Sequence, residues 1–133
     1  MPTAEKPKQK EIACGIVRLD PDGIMKMYIR EGYTVELDDL KEIVKTTAEI
    51  GGGKKYPNLI KGGIYTSISS EARAYSATPE SNLYTVADAF VIRSIAQKII
   101  ANFYLKFDKP VSPTRFFDTE KEAMKWLRGF VKN

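Results

Sequence analysis

The sequence predicts an α/β domain: a mixed sheet of about five strands with about four helices, in the order ββαβαβαβα. Three observations carry this. Two short apolar runs between residues 12 and 29 flank Asp20-Pro21-Asp22-Gly23, a turn signal in which proline presets one dihedral and glycine accepts a positive one, so the chain opens with an antiparallel hairpin. From residue 37 onward, apolar spacing near 3.6 alternates with short runs of apolar and β-branched residues, the marks of helices and buried strands. Helix-length segments separate the later strands, and strands joined by such crossovers pair in parallel.

A chain of 133 residues is one domain by length and buries enough surface to need no disulfide or metal. Its 43% hydrophobic and 29% charged residues are ordinary globular values that suggest neither wholesale disorder nor a membrane protein. Residues 1–11, with Pro2, Pro7 and alternating Lys and Glu, read as a polar lead-in, and 12–133 as a single domain. The lead-in lacks the apolar centre of a signal peptide and no run approaches a spanning helix, so the expectation is a cytoplasmic protein without membrane insertion.

In chain order, Ile12–Leu19 and Ile24–Ile29 are the hairpin strands. Leu37, Leu40, Ile43, Val44, Thr47 and Ala48 mark one side of a helix, with Thr34 or Glu36 as cap and acids in its first turn, where they complement the helix dipole. Gly51-Gly52-Gly53 ends it. The lysine-serine ending of a phosphate-binding loop is missing there, so the glycines are read as a helix stop. Residues 57–64 form the third strand, with Gly62-Gly63 signalling a bulge or close approach. A short helix follows over about 70–76, then a loop around Pro79.

Thr85–Ile92 is the fourth and most buried strand. Ser94 and Gln97 form a capping box for a long helix that Lys109-Pro110 stops near Phe107-Asp108. Its apolar residues Ile92, Ile95, Ala96, Ile99, Ile100, Phe103, Tyr104 and Phe107 share the spacing of a single face, which is expected to be buried. Thr114–Phe117 is the fifth strand, and Thr119 caps a final helix that buries Ala123, Trp126, Leu127 and Phe130.

Chemistry is narrowed mostly by what is missing. There is no histidine, which removes the commonest general base, the Ser-His and Cys-His nucleophile systems and almost all transition-metal sites. The single cysteine, Cys14, sits in an apolar strand and reads as inert packing. Asp88 is a carboxylate inside an apolar strand; burial without a partner would raise its pKa, so it is expected at the strand's exposed start or beside a Lys or Arg. Tyr75, Tyr84 and Tyr104 fill core edges or stack on a ligand. The net charge of +4 is uneven: residues 93–133 hold nine basic against four acidic side chains. That imbalance suits an anionic partner, or the solvated faces of two amphipathic helices.

The run VADAFVIRSIAQKIIANFYLKFDKPVSPTRFFDTEKEAMKWL resembles the C-terminal half of SpoIIAA-like proteins, a bacterial branch of the STAS group of anti-sigma-factor antagonists and their relatives. The shared features are an apolar strand entering a long helix, a Lys-Pro break, a short TRFF strand and a closing helix of the form Glu-x-Ala-x-x-Trp-Leu. More loosely, TVELDDLKEIV and SISSEARAY resemble the first two helices, so the likeness covers residues 12–130. The resemblance implies a non-catalytic regulatory or scaffolding module that binds a protein partner, with a homodimer among the forms expected, or a small ligand; no cofactor or metal is expected. It also implies Ser67 and Ser69 as phosphoacceptors, although TSISSEA stands where regulated members carry an Asp-Ser-Ser-Gly type of motif.

In open α/β sheets the carboxyl ends of strands and the starts of the following helices form the usual crevice, where free amides favour anions. That rule gathers Tyr65, Thr66, Ser67, Ser69, Arg93, Ser94, Asp118 and Thr119 as a ligand or phosphate crevice, or else as plain helix caps. Two other functions compete with partner binding. One is a carrier of an anionic metabolite or lipid, held between the long helix and the sheet or at the crevice near Arg93. The other, disfavoured for want of interleaved aromatic and basic residues, is nucleic-acid binding through Lys98, Lys106, Lys121 and Lys125.

Overall fold

The computed structural model describes residues 8–131. Its main sheet has six strands: β1 (Lys8–Ile12), β2 (Gly15–Leu19), β3 (Met25–Ile29), β5 (Tyr56–Lys61), β7 (Thr85–Val91) and β8 (Thr114–Phe117), side by side in that order. The pairs β1–β2 and β2–β3 are antiparallel, and β3, β5, β7 and β8 run parallel to one another. Two further strands, β4 (Thr34–Val35) and β6 (Ser67–Ile68), form a separate parallel pair. The helices are α1 (Leu37–Gly51), α2 (Ser70–Ser76), α3 (Ile95–Phe103) and α4 (Glu120–Arg128), and one wide π turn (Tyr104–Asp108) extends α3.

The expected α/β architecture, opening hairpin, parallel continuation and four helices are all present. The element order differs by three strands. β1 occupies the end of the expected polar lead-in: Lys8, Gln9, Lys10 and Glu11 are exposed and pair with Leu19, Arg18, Val17 and Ile16. Residues 1–7 lie outside the described residues. Ile12–Leu19 is therefore two strand ends and a tight turn, and Cys14 sits in that turn, fully buried. Gly15 permits the packing, since a Cβ there would overlap the Tyr28 carbonyl of the neighbouring strand.

Local chemistry accounts for most boundaries. The Gly23 amide donates to the Asp20 carbonyl at 3.0 Å, closing the hairpin turn, and Asp20 and Asp22 hold the Lys26 ammonium at 2.6 and 2.7 Å. Glu36 caps α1, and Asp39 accepts from the Glu36 amide at 2.8 Å and from the Tyr33 hydroxyl at 2.8 Å. At the other end Gly52 is left-handed, and the Gly53 amide donates to Ala48, so the glycines are the expected helix stop.

Strand alternation gives the sheet two different faces. Leu59, Ala89 and Val91 pack with Ile24 against Ala123 and Leu127 of α4, with Phe117 and Trp126 at the margin. On the opposite face Ile12, Cys14, Val17, Met25 and Met27 pack against Ile43 of α1. α2 and α3 cover the remainder of that second face.

α3 overturns one expectation. Of its apolar residues only Ala101, with Tyr104 of the π turn, is fully buried, whereas Ile95 is 81% exposed, Ile99 65%, Phe107 59% and Phe103 43%. Of the eight residues predicted as one buried face, Ile92, Ile100 and Tyr104 turn inward, Ala96 is exposed, and Ile95, Ile99, Phe103 and Phe107 form an outer row at every fourth position. Helical spacing establishes which side chains share a face and is silent about which way that face points.

Candidate functional site

Between α1, α2, α3 and the second sheet face lies a cavity of about 190 Å³. Its walls are apolar: Met27, Ile29, Ile60 and Phe90 from the sheet, Leu40, Ile43 and Val44 from α1, and Ile100 and Ala101 from α3. Phe90 and Phe116 stack with ring centroids 5.0 Å apart, and Tyr104 meets both edge-on.

Polar groups gather at one end of this lining. The parallel register of β5 on β7 sets Asn58 beside Asp88. The Asn58 amide nitrogen donates to Asp88 Oδ1 at 2.9 Å and to Thr85 Oγ1 at 3.0 Å. Asp88 is buried, and among the described residues Asn58 is the one side chain that donates to it. Burial pushes the Asp88 carboxyl up to about 6, against the pull of the Asn58 hydrogen bond. The Tyr104 hydroxyl donates to Ser76 Oγ at 3.1 Å. Burial also raises the Tyr104 phenol well above its ordinary range, partly offset by the Ser76 bond and reinforced by the nearby Asp88 charge.

Arg73 is the one basic side chain in the lining, and it is already engaged. Its Nε donates to Asp108 at 2.8 Å, and its guanidinium lies 4.5 Å from the centre of the Phe103 ring. The cavity therefore presents an apolar body, a hydrogen-bonding end and a buried acid, without an uncommitted cation.

The crevice residues predicted from the strand ends separate in the folded chain. Thr66 and Ser67 line the cavity. Gln97, which also lines it, donates to the carbonyls of Gly63 and Thr66 at 2.9 Å each and fastens the loop after β5 to the start of α3. Ser69, Ser94 and Thr119 accept from the amides of Ala72, Gln97 and Glu122 as helix caps. Tyr65, Arg93 and Asp118 are exposed and outside the cavity lining. α4 with Thr119 lies across the sheet from α3 with Ser94, so the eight residues do not form one crevice.

Asp88 is placed differently from the sequence expectation: it is neither at an exposed strand start nor beside a Lys or Arg, but deep in β7 against an amide. Asn58, Ser76 and Thr85 carry no signal as single residues. Their proximity comes from strand register and from the packing of α2, which local sequence patterns do not encode. Cys14 lies in the β1–β2 turn and not in a strand as expected, and burial, with Asp39 adding to it, pushes its thiol up to about 11, which disfavours the thiolate. Among the described residues no group of three or more His, Cys, Asp or Glu side chains could hold a metal ion, and no helix is long and apolar enough to cross a membrane.

Fold and cavity together define an α/β domain with one fully packed sheet face and one hollow face. The chain belongs to the family described as a domain of unknown function, DUF7793, whose model matches residues 17–131. No curated protein and no solved structure matches it.

Proposed function

We propose that this domain is a non-catalytic binding module, STAS-like in character, that holds a small and mostly apolar molecule beneath α3. The observation that carries this reading is a cavity of about 190 Å³ with apolar walls and the Asn58–Asp88 pair at one end. An apolar cavity of roughly 150 Å³ is enough to hold a benzene ring, so the ligand body is of about ring size. Most specific pockets add a few convergent polar groups that fix orientation, and in this cavity that role falls to Asp88, Thr85 and Ser76.

The ligand's polar end is a hydrogen-bond donor, such as a hydroxyl, amide or amine. Asp88 accepts and, above about pH 6, carries a negative charge, while Arg73 is held by Asp108. A carboxylate or phosphate end would meet repulsion there. Of the two carrier ligands suggested by the sequence, the anionic metabolite is therefore disfavoured. The likeness to SpoIIAA-like proteins supports binding without bond making.

A matched series with one phenyl body tests this by thermal shift at pH 7.5. Phenethyl alcohol and phenethylamine, at roughly ten times their Kd, are expected to raise the unfolding midpoint by about 4 °C, and phenylacetate at the same concentration to do so far less. Ala101→Trp, which places an indole in the space, should abolish the gain. Equal shifts for all three compounds, or shifts that survive in Ala101→Trp, would overturn the reading.

A further inference from the structure

The outer row of α3 and its π turn consists of Ile95, Ile99, Phe103 and Phe107, four large apolar side chains in solvent at successive fourth positions. Isolated exposed apolar residues are ordinary, but a contiguous row on one helix is not. Along α3 and the π turn the charge is of one sign; from a neighbouring element, the Glu31 carboxylate accepts from the Tyr65 amide in the loop that Gln97 fastens. Arg93, Lys98, Lys106 and Lys109 are all exposed, and the only acid from residue 93 to 109 is Asp108, which Arg73 neutralises at 2.8 Å. The Lys106 ammonium lies 5.4 Å from the centre of the Phe107 ring, so cation and apolar surface occur at the same place.

We propose that this face docks on an anionic lipid surface, with the α3 axis in the plane of the interface. A helix whose apolar side enters the boundary between headgroups and acyl chains, while lysines meet anionic headgroups, has this composition. A second copy of the chain fits less well, because two such faces would bring Lys98 and Lys106 against their own counterparts. Nucleic acid also fits less well: α4, with Lys121 and Lys125, is on the other side of the sheet from α3, so the basic side chains do not form one stripe. Docking does not depend on what the cavity holds, and it requires no membrane-crossing segment.

Co-sedimentation of the full chain with phosphatidylcholine vesicles, with and without 30 mole percent phosphatidylglycerol (roughly the anionic content that gives a substantial negative surface potential), tests the proposal. Binding to the anionic vesicles is expected, weakened by salt. Ile99→Glu with Phe103→Glu should abolish it, and Lys98→Glu with Lys106→Glu should weaken it by about thirtyfold or more. All four positions are exposed, and circular dichroism would verify that the variants remain folded. Lys121→Glu with Lys125→Glu, the control across the sheet, should change it by less than about threefold.

Equal partition to neutral and anionic vesicles would overturn the proposal, as would binding unchanged in the Ile99→Glu, Phe103→Glu variant. A dimer in light scattering that this variant dissociates, with no vesicle binding by the parent, would assign the face to a second copy instead.

Discussion

Asp88 occupies the environment least suited to its charge. In the unfolded chain its carboxyl titrates near 3.8, and in the folded protein near 6. Between those values the folded state holds the proton more tightly, so this group's contribution to stability falls as pH rises through that window and stays low above it. The difference corresponds to something on the order of 3 kcal/mol. Asp88→Asn keeps the shape and an acceptor for the Asn58 amide while removing the charge. Denaturant melts should show the variant more stable than the parent at pH 8, with the advantage shrinking steadily toward pH 4; equal stability at both pH values would mean that the carboxylate is better solvated than its burial indicates. Asp88 is legible in the sequence as an anomaly, a carboxylate in an apolar run. Its partner is not, because Asn58 is adjacent only through the register of β5 on β7.

Among the elements, those with strong local chemistry are legible and those defined by their surroundings are not. The hairpin turn at Asp20–Gly23, the glycine stop after α1 and the caps at Ser94 and Thr119 rest on interactions a few residues apart, and each is where its residues indicate. β1 reads as lead-in because Lys8–Glu11 carries the polarity of solvent-facing chain, which an outermost strand also carries. α3 reads as core because periodicity does not report direction. The turn between β1 and β2 depends on one backbone contact. Gly15→Ala is expected to cost at least about 2 kcal/mol, since a new Cβ must displace the Tyr28 carbonyl in a packed region. Urea unfolding would measure this, and a loss under about 0.5 kcal/mol, ordinary for a surface change, would show that the hairpin relaxes freely.

Across the whole molecule, the two faces of the sheet are built to different standards. The α4 side is close-packed, with Leu59, Ala89, Ala123 and Leu127 fully buried. The α3 side spans a hollow and is fastened largely by Gln97, Tyr104 and the Arg73–Asp108 pair. The π turn belongs to the same side: Lys109, left-handed at φ 52°, donates to the Tyr104 carbonyl at 2.9 Å, and such widened turns recur where helices serve functional sites. Hydrogen exchange should find the amides of α4 and β7 slowest and those of α3 fast. A ligand under α3 should slow its amides without altering those of α4. Exchange in α3 as slow as in β7 would mean that the helix is as firmly seated as the core.

β1 has one more consequence. Among the described residues its outer border is a row of amides and carbonyls with no neighbour in the sheet, decorated by Lys8, Lys10 and Glu11. Charged rims of this kind discourage one sheet from adding to another. A chain shortened to start at Ala13 would replace that rim with β2, whose sequence is Gly-Ile-Val-Arg-Leu, and thioflavin fluorescence should then rise on incubation as ribbons stack into fibrils. That rise would make the outermost polar strand a guard against self-polymerisation, and unchanged fluorescence would deny it that role.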